Sequence, residues 1–203
     1  DDEKISVLKI GLSTAAGSTA EVGVYPINVT YKESDNFIVQ TVPGTYTVQP
    51  ATMTAAFEAV NRADVPVQDS GRMEAVYDGK EHGIRVNAVD AEGQLIEDAV
   101  VYYGTSTLNA ENYGSGSVDP LTFTEVSGGT VYYYIVADNY DSISGSVPVV
   151  ITKKTVTVTA EDASVTYGDA ATNNGVIYEG FVSGEDAETL DLSVSYTYTA
   201  PAA

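Results

Sequence analysis

In Thr155-Val156-Thr157-Val158-Thr159, valine falls on one side of an extended chain and threonine on the other, a two-residue period that fits a half-buried strand. Both residue types are β-branched and stiff at χ1, which suits a pleated sheet better than a helix. The same alternation predicts strands over residues 24–30, 45–48, 84–89, 100–103, 131–136, 147–151 and 190–198. Turn formers separate them: Pro43-Gly44, Asp78-Gly79, Glu92-Gly93, Ser127-Gly128-Gly129 and Tyr167-Gly168-Asp169. Many short strands at this spacing predict an all-β chain built as a β-sandwich. One stretch is ambiguous. Ala55, Ala56, Glu58 and Ala59 favour a helix over residues 53–62, whereas Pro50 before it and Asp64-Val65-Pro66 after it fit a strand or linker equally well.

Three short patterns occur twice in the same order. Gly23-Val24-Tyr25-Pro26-Ile27, Asp35-Asn36-Phe37 and Gly44-Thr45-Tyr46-Thr47-Val48 form the first set. Gly129-Thr130-Val131-Tyr132-Tyr133-Tyr134, Asp138-Asn139-Tyr140 and Gly145-Ser146-Val147-Pro148-Val149 form the second. Each reads as strand, Asn-aromatic turn, strand. A further pattern opens repeats: Val76-Tyr77-Asp78-Gly79 in the middle, and Val165-Thr166-Tyr167-Gly168-Asp169 later. The expected organisation is the closing half of one repeat in 1–50, a whole repeat in 51–153, and the opening half of another in 154–203. A half-sandwich leaves apolar faces wet and edge groups unpaired, so the two halves are expected to be completed by neighbouring sequence or by an identical subunit, head to tail.

Composition narrows the function. Twenty-nine Asp and Glu against nine Lys and Arg give a net charge of −20 over 203 residues. Such a surface repels phosphate backbones and anionic lipid, so neither nucleic acid nor a membrane surface is the expected partner. No run reaches the roughly eighteen apolar residues of a membrane span. Asp1-Asp2-Glu3-Lys4 reads as a processed or excised start, with any export signal or wall anchor outside this sequence. The absence of Cys is compatible with a reducing cytosol or with exported proteins that use no disulfides.

Candidate chemistry is thin. His82, the single histidine, sits between glycines in Gly79-Lys80-Glu81-His82-Gly83 and reads as a polar loop residue. No nucleophile-elbow pattern accompanies it, and Gly114-Ser115-Gly116 and Gly145-Ser146 read as turns. Acidic pairs of the glycosidase kind are inevitable among so many carboxylates, and a solvated surface explains them. Asp138-Asn139-Tyr140-Asp141 or Glu161-Asp162 could contribute to a structural calcium, although neither has EF-hand spacing; otherwise Asn139 and Asn36 bond their own turns, with Tyr140 and Phe37 anchoring them in the core. Tyr102-Tyr103 and Tyr132-Tyr133-Tyr134 alternate across strands, so half should face outward, as cross-strand pairs or as a binding surface for glycan or host protein. No motif fixes a Lys–Asn isopeptide crosslink. The expected site list is therefore empty: no catalytic, cofactor-binding or metal residues.

Lys154-Thr155-Val156-Thr157-Val158-Thr159-Ala160-Glu161-Asp162, Tyr167-Gly168-Asp169 and Tyr178-Glu179-Gly180-Phe181-Val182-Ser183-Gly184-Glu185 resemble the opening of MBG-type immunoglobulin-like repeats of bacterial surface proteins. Residues 23–48 resemble the close of that repeat. The middle segment, from Tyr77-Asp78-Gly79-Lys80-Glu81-His82 to Val149-Val150-Ile151-Thr152-Lys153, is similar to a related Gram-positive repeat. Where the pattern has a Pro soon after Tyr-Gly-Asp, this chain has Ala170-Ala171-Thr172-Asn173. The resemblance implies an immunoglobulin-like sandwich, a location on the bacterial cell surface, and a stalk, adhesin or fibre role. It carries no catalytic residue.

Overall fold

The computed structural model describes residues 9–33, 37–60, 64–68 and 71–197. The described chain is all-β, as the alternation predicts. Its strands are β1 (Gly11–Thr14), β2 (Gly23–Thr30), β3 (Gly44–Val48), β4 (Thr54–Ala59), β5 (Met73–Val76), β6 (His82–Val89), β7 (Val100–Gly104), β8 (Thr122–Phe123), β9 (Gly129–Val136), β10 (Ile143–Thr152), β11 (Thr157–Ala160) and β12 (Val176–Glu179). A short 3-10 turn, Tyr113–Ser115, interrupts them. Hydrogen bonding gives a sheet β1-β2-β3, a sheet β5-β10-β9-β7, a sheet β4-β6-β8 and a ladder β11-β12. Pairing in the first and last is antiparallel, whereas β5 lies parallel to the last four residues of β10, from Val149↔Met73 to Thr152↔Val76.

Contacts divide the chain into two compact units. One comprises residues 56–86, 102–133 and 144–203 and holds most of the core. Met73, Ile84, Val86, Val131, Val147, Val149 and Ile151 are nearly sealed from solvent there. They come from β5, β6, β9 and β10; burial alternates along β5 and β10 and is continuous over parts of β6 and β9. Sheet meets sheet at Phe57 of β4 and Tyr133 of β9, whose rings pack edge to face at 5.9 Å. That arrangement is sandwich-like.

Tyr103 adds a polar tie inside this core. It is 3 % exposed, its hydroxyl accepts the Val86 N–H at 2.9 Å, and it donates to the Val86 carbonyl at 3.3 Å. Burial pushes its hydroxyl above the ordinary tyrosine range, partly offset by the Val86 backbone bond. Tyr103→Phe strands two buried backbone groups, so a loss of about 1–3 kcal/mol is expected. The measurement is the urea midpoint, which should fall with an unchanged slope.

The other unit comprises residues 1–55, 87–101 and 134–143. It carries β1 to β3, where Ile10, Leu12, Val24 and Tyr46 remain largely exposed. Asp90 shapes a turn here, its carboxylate accepting the N–H groups of Glu92 and Gln94. Asn139, at φ 64°, takes the left-handed conformation that asparagine tolerates. Its carbonyl accepts the Ala51 N–H at 2.9 Å, and its side-chain oxygen accepts the Val22 N–H at 2.7 Å.

Of the readings left open for residues 53–62, the strand holds over Thr54–Ala59; the alanine preference for helix is worth under about 1 kcal/mol per residue, and pairing with β6 outweighs it. The Arg85–Glu58 ion pair and the Phe57–Tyr133 packing reinforce that choice. Asn61, Arg62 and Ala63 lie outside the described residues. The strand expected over residues 190–198 needs correction, since residues 190–197 form none. Leu190 and Asp191 lie in a turn in which Leu192 N–H meets the Ala187 carbonyl, and among the described residues no strand pairs with those that follow; Tyr198 lies outside the described residues. A strand without a partner leaves its backbone groups to water.

Candidate functional site

His82 opens β6 rather than occupying a loop, and its side chain is 1 % exposed. Gly83 beside it lies so close to the Leu121 carbonyl that a side chain there would clash, which draws the strand start inward. The imidazole Nε2 lies 2.9 Å from an Asp78 carboxylate oxygen. An ionised carboxylate only accepts, so Nε2 carries the proton. Nδ1 is buried without a hydrogen-bond partner. The ring is thus fixed by the Asp-Gly turn and closed to solvent, the opposite of the open position that acid–base work on a substrate needs.

The serines of the sequence-level alternatives are engaged in local structure. Ser115 donates its hydroxyl to the Asn112 carbonyl at 2.8 Å within the 3-10 turn. Gly145 and Ser146 belong to β10, with Gly145 lying under the Tyr133 ring. Among the described residues, no three His, Cys, Asp or Glu side chains gather in a metal-holding group. The Asn139 side chain does not close its own turn as expected; it holds the distant Val22 N–H instead. Phe37 is 68 % exposed and anchors nothing in the core, while Asp35 and Asn36 lie outside the described residues. Glu161 and Asp162 sit in an exposed stretch where the Asp162 carbonyl accepts from Asn174.

Tyrosine placement departs from simple alternation. Tyr133 and Tyr134 are consecutive and both buried, because β9 is a central strand covered on both sides at that point. Tyr102 packs edge to face on Tyr113 at 4.9 Å. Burial pushes the Tyr133 hydroxyl above its ordinary range.

One surface groove was not anticipated from the sequence. A groove of about 330 Å³ is lined by Tyr77, Glu125, Lys153, Lys154, Phe181 and Glu185, among others. The Tyr77 hydroxyl donates to a Glu185 carboxylate oxygen. That bond, then partial burial, then the negative charge of Glu185 all raise the tyrosine above its usual range, so it stays a donor. Val182 is buried nearby, in van der Waals reach of Gly79, which needs its φ of 72° for the Asp-Gly turn. Just beyond, Asp186 accepts from the Thr189 and Glu188 N–H groups, which hold its carboxyl below the usual range and shape the turn that follows. The tyrosine of the Tyr-Asp-Gly turn therefore works as a latch onto the segment after Gly180. The sequence signal was the turn itself, while Glu185 had no pattern to mark it.

Comparison with protein-family models, with curated proteins and with solved structures finds no match to this chain. The resemblance to surface-protein repeats therefore rests on this chain's own residues.

Proposed function

We propose that this chain is a non-enzymatic structural module of an extracellular bacterial surface protein, part of a stalk, adhesin or fibre built from immunoglobulin-like repeats. One observation carries the reading. Gly23 and Gly44 open β2 and β3 as Gly129 opens β9, Gly145 lies third in β10, and each pair of strands is hydrogen-bonded, which supports reading the recurring motifs as repeats. Repeats of this kind gain stability by stacking on neighbours and use their length mechanically. The Tyr77–Glu185 latch supports it, since it is a tie between successive repeat segments rather than a reactive centre. The sealed His82 ring is in keeping with a module that has no acid–base chemistry to perform.

The test is surface proteolysis of intact cells that make the native protein. Peptides from residues 51–153 should be released without lysis. Protection until the cells are broken would overturn the reading.

A second reading, a module that binds glycan or host protein, is favoured by one feature: a shallow groove lined by Tyr31, Glu33, Phe37 and Ile38, with both aromatic rings exposed. Aromatic faces beside an acid suit a sugar or a basic peptide. Glycan-array binding tighter than about millimolar that is lost in Tyr31→Ala would favour it over the purely structural role.

A further inference from the structure

The loop between β11 and β12 is closed at its base by one side chain. The β11–β12 ladder ends at Ala160↔Val176, and two further bonds carry it on: the Glu161 N–H to the Gly175 carbonyl at 3.0 Å, and the Asn174 side-chain amide to the Asp162 carbonyl at 2.6 Å. Beyond them residues 163–173 are exposed and form no strand. Asn174 is thus the clasp of this loop, and of the nine asparagines in the chain it is the one followed by glycine. That neighbour matters chemically. The backbone nitrogen after an asparagine attacks the side-chain Cγ when it comes within bonding reach, and a side chain on the following residue obstructs the approach. Gly175 has none. Its φ of 99° lies in the region that glycine favours, and among the described residues the only atom within 4 Å of a Cβ built there is a Glu161 carboxylate oxygen at 3.9 Å. Local opening of an exposed loop costs little, so the approach is accessible. Other asparagines are held differently: Asn28 and Asn87 lie in β2 and β6, Asn112 and Asn139 precede tyrosines, and Asn109 precedes Ala110 with its side-chain oxygen on the Glu111 N–H. Asp78–Gly79 shares the glycine, but an ionised carboxylate resists nucleophilic attack.

We infer that Asn174 is a self-modification site: the chain converts it to aspartate and isoaspartate with water alone, and the conversion opens the loop. The Gly175 nitrogen bonds to Cγ of Asn174, the Cγ–Nδ2 bond breaks, and Nδ2 leaves as ammonia with the proton of the Gly175 N–H. Water then opens the five-membered imide, at Cγ to give aspartate or at the Asn174 backbone carbonyl to give isoaspartate. Nothing is oxidised or reduced. The departing nitrogen is the donor of the clasp. In its place a carboxylate faces the Asp162 carbonyl, acceptor against acceptor, beside the acids Glu161 and Asp162. Isoaspartate also lengthens the backbone by one carbon and throws the Glu161–Gly175 bond out of register. The inference goes beyond the structural-module reading and does not depend on it.

The test is ageing of the full chain in warm, mildly alkaline buffer made with heavy-oxygen water, with each asparagine followed by peptide mapping. Asn174 should convert at least about tenfold faster than any other, a ratio that a barrier lower by about 1.4 kcal/mol supplies. Its products should carry one heavy oxygen from the solvent. Asn174→Gln, which needs a larger ring to cyclise, should stay amidated over the same period. Hydrogen exchange of the Glu161 N–H reads the loop: it should quicken as the parent chain ages, be fast from the start in Asn174→Asp, and not change with age in Asn174→Gln. Conversion of Asn174 on the same timescale as Asn109 or Asn112 would overturn the inference. An aged, converted chain whose Glu161 N–H exchanges at the fresh rate would overturn it as well. Either failure leaves the module reading standing, since that reading is decided by surface proteolysis.

Discussion

Gly128→Ala is expected to disrupt the sheet β5-β10-β9-β7 more than any other single-methyl addition in the chain. Gly128 sits at φ 63°, and a Cβ built there would lie 2.0 Å from the Val149 carbonyl oxygen. The left-handed conformation costs an alanine about 1–2 kcal/mol. Overpacking against backbone adds about 1–3 kcal/mol, and no rotamer change relieves it. Backbone must move, and the Ser127 N–H bond to the Ile151 carbonyl and the entry into β9 go with it. The control is Gly93→Ala, at φ 79° with nothing within 4 Å of its Cβ, which isolates the conformational part. Chemical denaturation of the two variants should place Gly128→Ala well below Gly93→Ala; equal losses would mean that the clash relaxes freely.

The second large effect is expected at Met73→Ala. Met73 is fully buried, it is paired with Val149, and it bridges to Val67 as well. Its removal costs the transfer of several buried carbons plus a cavity, about 2–5 kcal/mol. For a domain of ordinary size that lowers the melting temperature by roughly 10 °C or more. Leu12→Ala, at a position 71 % exposed, should stay within about 0.5 kcal/mol of the parent. Calorimetry separates the two. A melting temperature unmoved by Met73→Ala would mean that β5 is dispensable to the core.

Such contrasts explain what the sequence could and could not convey. Period-two alternation marked β2, β3, β6, β7, β9 and β10 to within a few residues; in β10 it records a buried face on every second residue, whereas β3 carries the pattern while largely exposed. Residues 190–197 carry a similar imprint and form no strand, since alternation records fitness for a sheet and not the presence of a neighbour. The reverse holds at β4, where helix-favouring alanines were conscripted by pairing with β6. His82 looked exposed because its sequence neighbours are glycine and charge, yet Gly83 is what permits the close approach that buries it. Tyr133 and Tyr134 break the alternation for a tertiary reason, the covering of both faces of a central strand, that no local pattern records. The Tyr77–Glu185 latch spans 108 residues, and a lone tyrosine in a turn gives no hint of its acceptor.

The parallel pairing of β5 with β10 has a mechanical consequence. Tension carried along the backbone enters β5 at its N-terminal end and leaves β10 at its C-terminal end, and the two strands point the same way. The pull therefore drags one strand lengthwise past the other instead of peeling them apart one bond at a time. All the backbone bonds between Met73–Val76 and their partners share the load and must fail together, with the Tyr77 N–H bond to the Thr152 carbonyl at the same seam. A seam loaded in this direction resists force far better than its few hydrogen bonds would suggest.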